Sequence, residues 1–153
     1  ASTLPVAPAV RAVLAGGTPY PTGPSIPRFW PLDEQSYMTR GVADSGGAVG
    51  QHQGVDIASA TGTPVRASGG GTVADAGEDP VFGHFVLITH PDDYQTLYGH
   101  LSRVVTAKGR TVEPGEVIGP AGNTGRSSAP HLHFEVRRRG AAVDPLTLVK
   151  QEG

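Results

Sequence analysis

Apolar residues in this chain come in short runs that alternate with polar ones and are bounded by Gly and Pro. Residues 54–58, 64–67, 71–76, 84–90, 94–98, 117–119 and 131–136 each read as a strand, since a period of two suits a pleated segment. Helical periodicity is absent after residue 50, apart from one turn's worth at 101–104. Strands this short and frequent predict an all-β fold: a small antiparallel β-sandwich or partly open barrel, with Gly-rich loops around a groove. A theme of β-branched strand running into Gly turn recurs at 62–73 and 109–119. It speaks of architecture rather than chemistry.

Residues 1–28 are rich in Pro, Ala, Gly and Thr and show little periodicity. They are expected to form an extended N-terminal arm or linker, with a short helix around 8–14. Phe29-Trp30-Pro31-Leu32 is the first bulky apolar cluster, so the folded domain is assigned to 29–153. Residues 41–51 read as a loop. The chain opens on Ala, as expected of a processed or trimmed one.

Composition narrows the function classes. The 153 residues suffice for one domain with a real core. A formal charge of −2 argues against a nucleic-acid partner, which demands clustered Lys and Arg. The one dense basic run, Arg137-Arg138-Arg139, is read as a solvated strand end or turn. No apolar run is long enough to predict a membrane span. Cys is absent, which excludes disulfides and thiolate ligands.

Six histidines carry most of the chemistry: His52, His84, His90, His100, His131 and His133. His131 and His133 share one face of a strand, with Leu132 between them. Two such imidazoles can share a metal, or one can ligate while the other handles protons, or the pair can be fortuitous. His52 and Asp56, four apart in a segment whose Gly54 and Val55 disfavour helix, again share a face if extended. Two His and one Asp give three protein ligands and leave a fourth tetrahedral position for water, the pattern of a catalytic rather than a structural zinc site. His84 and His90 flank a strand and are read as supporting structure or facing solvent. Tyr98 is read as a packed aromatic, and Asp144 before Pro145 as a turn residue.

The ordered set His52-Gln53-Gly54-Val55-Asp56-Ile57-Ala58, Gly62-Thr63-Pro64-Val65, Leu97-Tyr98-Gly99-His100-Leu101-Ser102, Gly122-Asn123-Thr124-Gly125-Arg126-Ser127, Pro130-His131-Leu132-His133-Phe134-Glu135 and Val143-Asp144-Pro145 resembles the lysostaphin-type, or LytM-like, zinc endopeptidases over about residues 29 to 148. The resemblance implies one zinc per chain held by His52, Asp56 and His133. It implies His131 and His100 as catalytic, proton-handling residues, a role for which an unperturbed pKa near 6.5 is suited. The implied substrate is the peptide stem or cross-bridge of peptidoglycan. The implied location is secreted, periplasmic or cell-wall associated, and the chain is expected to act as a monomer. Ser128, Ala129 and His84 depart from common family residues without touching an assigned ligand.

Two other readings compete. A non-catalytic relative that binds or activates wall hydrolases usually lacks metal ligands, whereas all five assigned positions are filled here. The Gly-turn pattern is also similar to that of the glucose-specific phosphocarrier modules, but that reading leaves Asp56 and the His-Leu-His spacing unexplained.

Overall fold

The computed structural model describes residues 25–27, 29–32, 54–125, 127 and 129–144, together with the backbone of 38–40. Most of the expected arm, the expected loop at 41–51 and the expected ligand His52 lie outside the described residues.

Among the described residues ten strands follow in order: β1 (Met38–Arg40), β2 (Val55–Ala58), β3 (Pro64–Arg66), β4 (Gly71–Asp79), β5 (Gly83–Thr89), β6 (Tyr94–Leu101), β7 (Thr111–Val112), β8 (Val117–Pro120), β9 (His131–Arg138) and β10 (Ala141–Val143). Pro91–Asp93 forms a single 3₁₀ turn between β5 and β6, at the expected turn signature. The described residues contain no α-helix. Where one helical turn is expected at 101–104, β6 ends and a bend follows.

Eight strands form one antiparallel sheet in the order β1-β2-β9-β6-β5-β4-β7, with β10 added beside β9; β3 and β8 pair separately. Val65 and Ile118 of the small sheet join Val55, Ile57, Leu132, Phe134 and Val136 of the large one in a single core cluster. The two-layer all-β expectation is met as an open sheet capped by a small second sheet.

Alternation explains which face each residue takes. In β9 the even positions Leu132, Phe134 and Val136 are buried in the core. The odd positions 131, 133, 135 and 137 therefore project from the opposite face. In β2, Val55 and Ile57 enter the core and Asp56 faces away from it. The register sets Asp56 directly opposite His133.

The described part of the N-terminal segment lies on this scaffold. Ser25 N–H donates to Gly70 O (3.1 Å), and Gly70 N–H donates to Ser25 Oγ (3.0 Å). Trp30 and Leu32 are buried in the core. A buried polar chain runs nearby. Ser68 N–H donates to Tyr98 OH (2.8 Å), Tyr98 OH and Thr96 Oγ1 are 2.8 Å apart, and Thr96 Oγ1 is 2.7 Å from His90 Nε2. His90 Nδ1–H donates to Gly70 O (2.9 Å). Burial pushes the Tyr98 phenol up to about 12, against the opposing hydrogen bonds from Ser68 and Thr96, so its proton stays in place.

Candidate active site

Three neighbouring strands supply the candidate residues: β2 gives Asp56, β9 gives His131 and His133, and β6 gives His100. His133 Nδ1 lies 2.8 Å from Asp56 Oδ1. His131 Nε2 stands 3.6 Å from the same oxygen. The His100 ring centroid is 4.6 Å from that of His131 and 6.1 Å from that of His133. Four of the five residues singled out in the sequence are thus neighbours, and the fifth, His52, is outside the described residues.

His100 reaches this face by an exception to alternation. By period two it belongs with Thr96 and Tyr98, on the core side. Between the pairs Val86↔Tyr98 and His84↔Leu101 the register slips by one residue, a bulge in β6. His100 sits in that bulge at φ 64°. Bulges of this kind bend a strand and re-aim a side chain. Its N–H donates to Phe82 O (2.6 Å), and its Nδ1–H donates to Thr124 O (2.7 Å). His131 is oriented in the same way, with Nδ1–H donating to Ala129 O (2.8 Å) and Ser127 Oγ 3.1 Å away. Both rings therefore carry the proton on Nδ1 when neutral and leave Nε2 as a proton acceptor.

The electrostatics separate the rings. Burial lowers the pKa of His100, and repulsion from His131 and His133 adds to it, against the raising effects of the Thr124 carbonyl and Asp56. Burial also lowers that of His133. There, hydrogen bonds and attraction from Asp56 and Glu135 outweigh burial and hold the metal-free ring at about 9. Phe82 stacks on the His133 ring at 5.5 Å between centroids.

The donor chemistry suits zinc. Imidazole nitrogen and carboxylate oxygen are its usual partners, and bonds of about 2.0–2.1 Å set tetrahedral ligands roughly 3.3 Å apart. The Asp56–His133 pair needs to open by only about half an ångström to meet that spacing. Among the described residues no group of three His, Cys, Asp or Glu is arranged to hold a metal ion. Two of the three expected ligands are described, and they face each other.

Other residues at the site were not singled out in the sequence. Glu135 Oε2 accepts from His133 Nε2–H (2.8 Å), and Arg137 binds the other carboxylate oxygen. Period two in β9 was the signal for both, since 131, 133, 135 and 137 share a face. The arginine run is the expected strand end and turn, with Arg138 and Arg139 exposed, and only Arg137 departs from a solvated reading. Arg137 is half-buried on Glu135, Arg138 lies over the Tyr94 ring (4.8 Å), and Arg139 pairs with Asp93 (3.2 Å). Phe82 had no sequence signal, and Thr124, though part of the Gly122–Ser127 motif, had none for its contact with His100, because these contacts join segments about 20 to 50 residues apart.

Residues 50–145 match Peptidase family M23. The DD-carboxypeptidase/endopeptidase Mpg of Neisseria meningitidis is 46% identical over 97 residues, 63% of this chain and 22% of that protein. The chain thus spans about a fifth of the length of such curated relatives. A zinc-containing peptidase from Vibrio cholerae superposes with a TM-score of 0.73 at 34% identity, over 84% of this chain and 41% of that one. The catalytic domain of the antimicrobial peptidase lysostaphin from Staphylococcus simulans superposes at 0.67 and 32% identity, over 73% of this chain and 90% of that one.

Proposed function

Because the chain belongs to Peptidase family M23, we propose that it is a zinc-dependent endopeptidase hydrolysing peptide bonds in the stems or cross-bridges of peptidoglycan. The observation that carries this reading is the convergence of Asp56, His133, His131 and His100 on three adjacent strands. The names of the Neisseria and Vibrio relatives support the bond type and the metal.

One zinc ion would be held by His52, Asp56 and His133. When bound, zinc supplies a Lewis acid for the scissile carbonyl and lowers the pKa of water to about 7. The chain's own part is proton handling and orientation. His131 and His100 each tether Nδ1–H to a backbone carbonyl, so Nε2 is the atom that accepts a proton and returns it to the leaving amine. The lowered pKa of His100 keeps that nitrogen unprotonated at neutral pH. No H-E-x-x-H helix is present to supply a Glu base, which leaves this task to the two histidines. Phe82 stacks on the His133 ring. The substrate places the enzyme in the cell envelope: secreted, periplasmic or wall-associated.

Digestion of purified peptidoglycan, with released peptides identified by mass spectrometry, tests the proposal. Peptides with new termini, lost on adding a chelator and restored by zinc, are expected. Binding to the wall without any released peptide would point to the non-catalytic reading instead.

A further inference from the structure

Glu135 is almost completely buried, at 3% exposure, yet carries a carboxylate. Burying a carboxylate is unfavourable unless both oxygens are answered. Here they are answered from opposite directions. Oε2 accepts from His133 Nε2–H at 2.8 Å. Oε1 accepts from Arg137 Nε at 2.9 Å and lies 2.8 Å from Nη2. On another side Gly54 lies so close that any side chain there would overlap Glu135 Cγ and the Phe134 carbonyl. The carboxylate is thus fixed by β9 itself, by Arg137 and by the segment leading into β2.

The simpler reading is that Glu135 exists to neutralise Arg137. The burial pattern argues against it. The Arg137 side chain is about one-third exposed and can be solvated without a partner, whereas Glu135 is the member that loses water. What the buried carboxylate touches on its inner side is the one His133 nitrogen that faces away from Asp56. A histidine that ligates a metal through one nitrogen characteristically donates its other N–H to a carboxylate, which fixes the tautomer and ring orientation.

We propose that Glu135 is a positioning residue of the metal site: it accepts His133 Nε2–H, so that His133 presents the lone pair of Nδ1 beside Asp56, and Arg137 holds Glu135 in that pose. The inference rests on the metallopeptidase reading and adds to it what orients the His133 ring and what anchors that partner. The strand makes this economical, because ligand, orienting carboxylate and guanidinium anchor occupy successive odd positions, 133, 135 and 137, of one β9 face.

The test is zinc affinity, measured by competition with a chromogenic chelator on the purified chain. The melting temperature of the metal-free proteins serves as the control for folding. Glu135→Ala is expected to weaken zinc binding about 10- to 100-fold. Glu135→Gln keeps size and an acceptor oxygen but loses the charge, and is expected near the lower end of the same range, about tenfold. Arg137→Gln is expected to weaken binding in the same direction by less than Glu135→Ala. Wild-type affinity in Glu135→Ala overturns the proposal. Should the alanine variant fail to fold, wild-type affinity in a folded Glu135→Gln overturns it equally. A wild-type chain that binds no zinc would instead remove the metallopeptidase reading on which the proposal stands.

Discussion

His100 occupies the left-handed region at φ 64° although it carries a β-carbon. That conformation costs about 1–2 kcal/mol. It is held by the backbone hydrogen bond to Phe82 and the ring hydrogen bond to Thr124. A side chain so placed must orient Nε2 toward the site, which is where a proton carrier is needed. His100→Ala and His131→Ala are therefore expected to keep zinc and fold but lose about 10²–10⁴-fold in turnover. Near-normal peptide release by both variants would leave no base for the reaction. His90 is a histidine of the opposite kind, buried and neutral. Burial lowers its pKa against the raising effect of the Gly70 and Ser25 backbone, and Tyr98 is the other titratable group on its hydrogen-bonded chain. In the unfolded chain His90 takes a proton below about pH 6.5, which the folded state resists, so its contribution is complete above that pH and lost as pH falls toward the lowered folded value. Urea unfolding in the presence of a chelator, at pH 7.5 and 5.5, should show a smaller pH-dependent loss in His90→Gln than in the wild type. Equal losses would contradict the neutral assignment. At this scale the sequence motifs led to Asp56, His131 and His133 because alternation in β2 and β9 is regular. They gave no geometric reason for His100, whose placement depends on a bulge that breaks alternation.

Two loops interlock beside the site and act as one element. The tip of the β4–β5 hairpin is shaped by Asp79 Oδ1, which accepts from the N–H groups of Val81 (2.7 Å) and Phe82 (2.8 Å). The segment after β8 meets it through Thr124. Its hydroxyl donates to Leu101 O and accepts from His84 N–H, while its carbonyl holds His100. Gly83 and Gly125 face each other at φ 63° and 74°, and a β-carbon on Gly83 would overlap Thr124 and Gly125. Gly83→Ala is expected to lower stability by about 1–3 kcal/mol through overpacking. It should also reduce turnover more than zinc content, since it disturbs the carbonyls that hold His100 rather than Asp56 or His133. Thermal melts and zinc analysis on the same preparation check this, and a variant with unchanged melting and full turnover would contradict the interlock. Strand positions were legible because each run is bounded by Gly or Pro. The short strands β1, β7 and β10 were not assigned. Nor was the strand order, which rests on contacts between distant segments.

On the scale of the whole molecule, one sheet surface carries Asp56, His100, His131, His133 and Glu135, the described residues of the proposed site. Core residues fill one face of β2, β9 and β6, and the other face collects Asp56, the three histidines and the buried carboxylate of Glu135. This division lets the fold bear a buried polar centre without opening its core, and it explains why a chain rich in Gly and Pro can still hold several imidazoles in register. Residues 50–145, the stretch that matches the family, include every residue assigned to the site. The most direct measurement is zinc per chain by elemental analysis, on the wild type and on His133→Ala, Asp56→Ala, His131→Ala and His100→Ala after equal dialysis. One zinc is expected in the wild type and in the His131 and His100 variants, and none in the His133 and Asp56 variants. Full zinc in His133→Ala, or its loss in His131→Ala, would contradict the division between ligands and proton carriers.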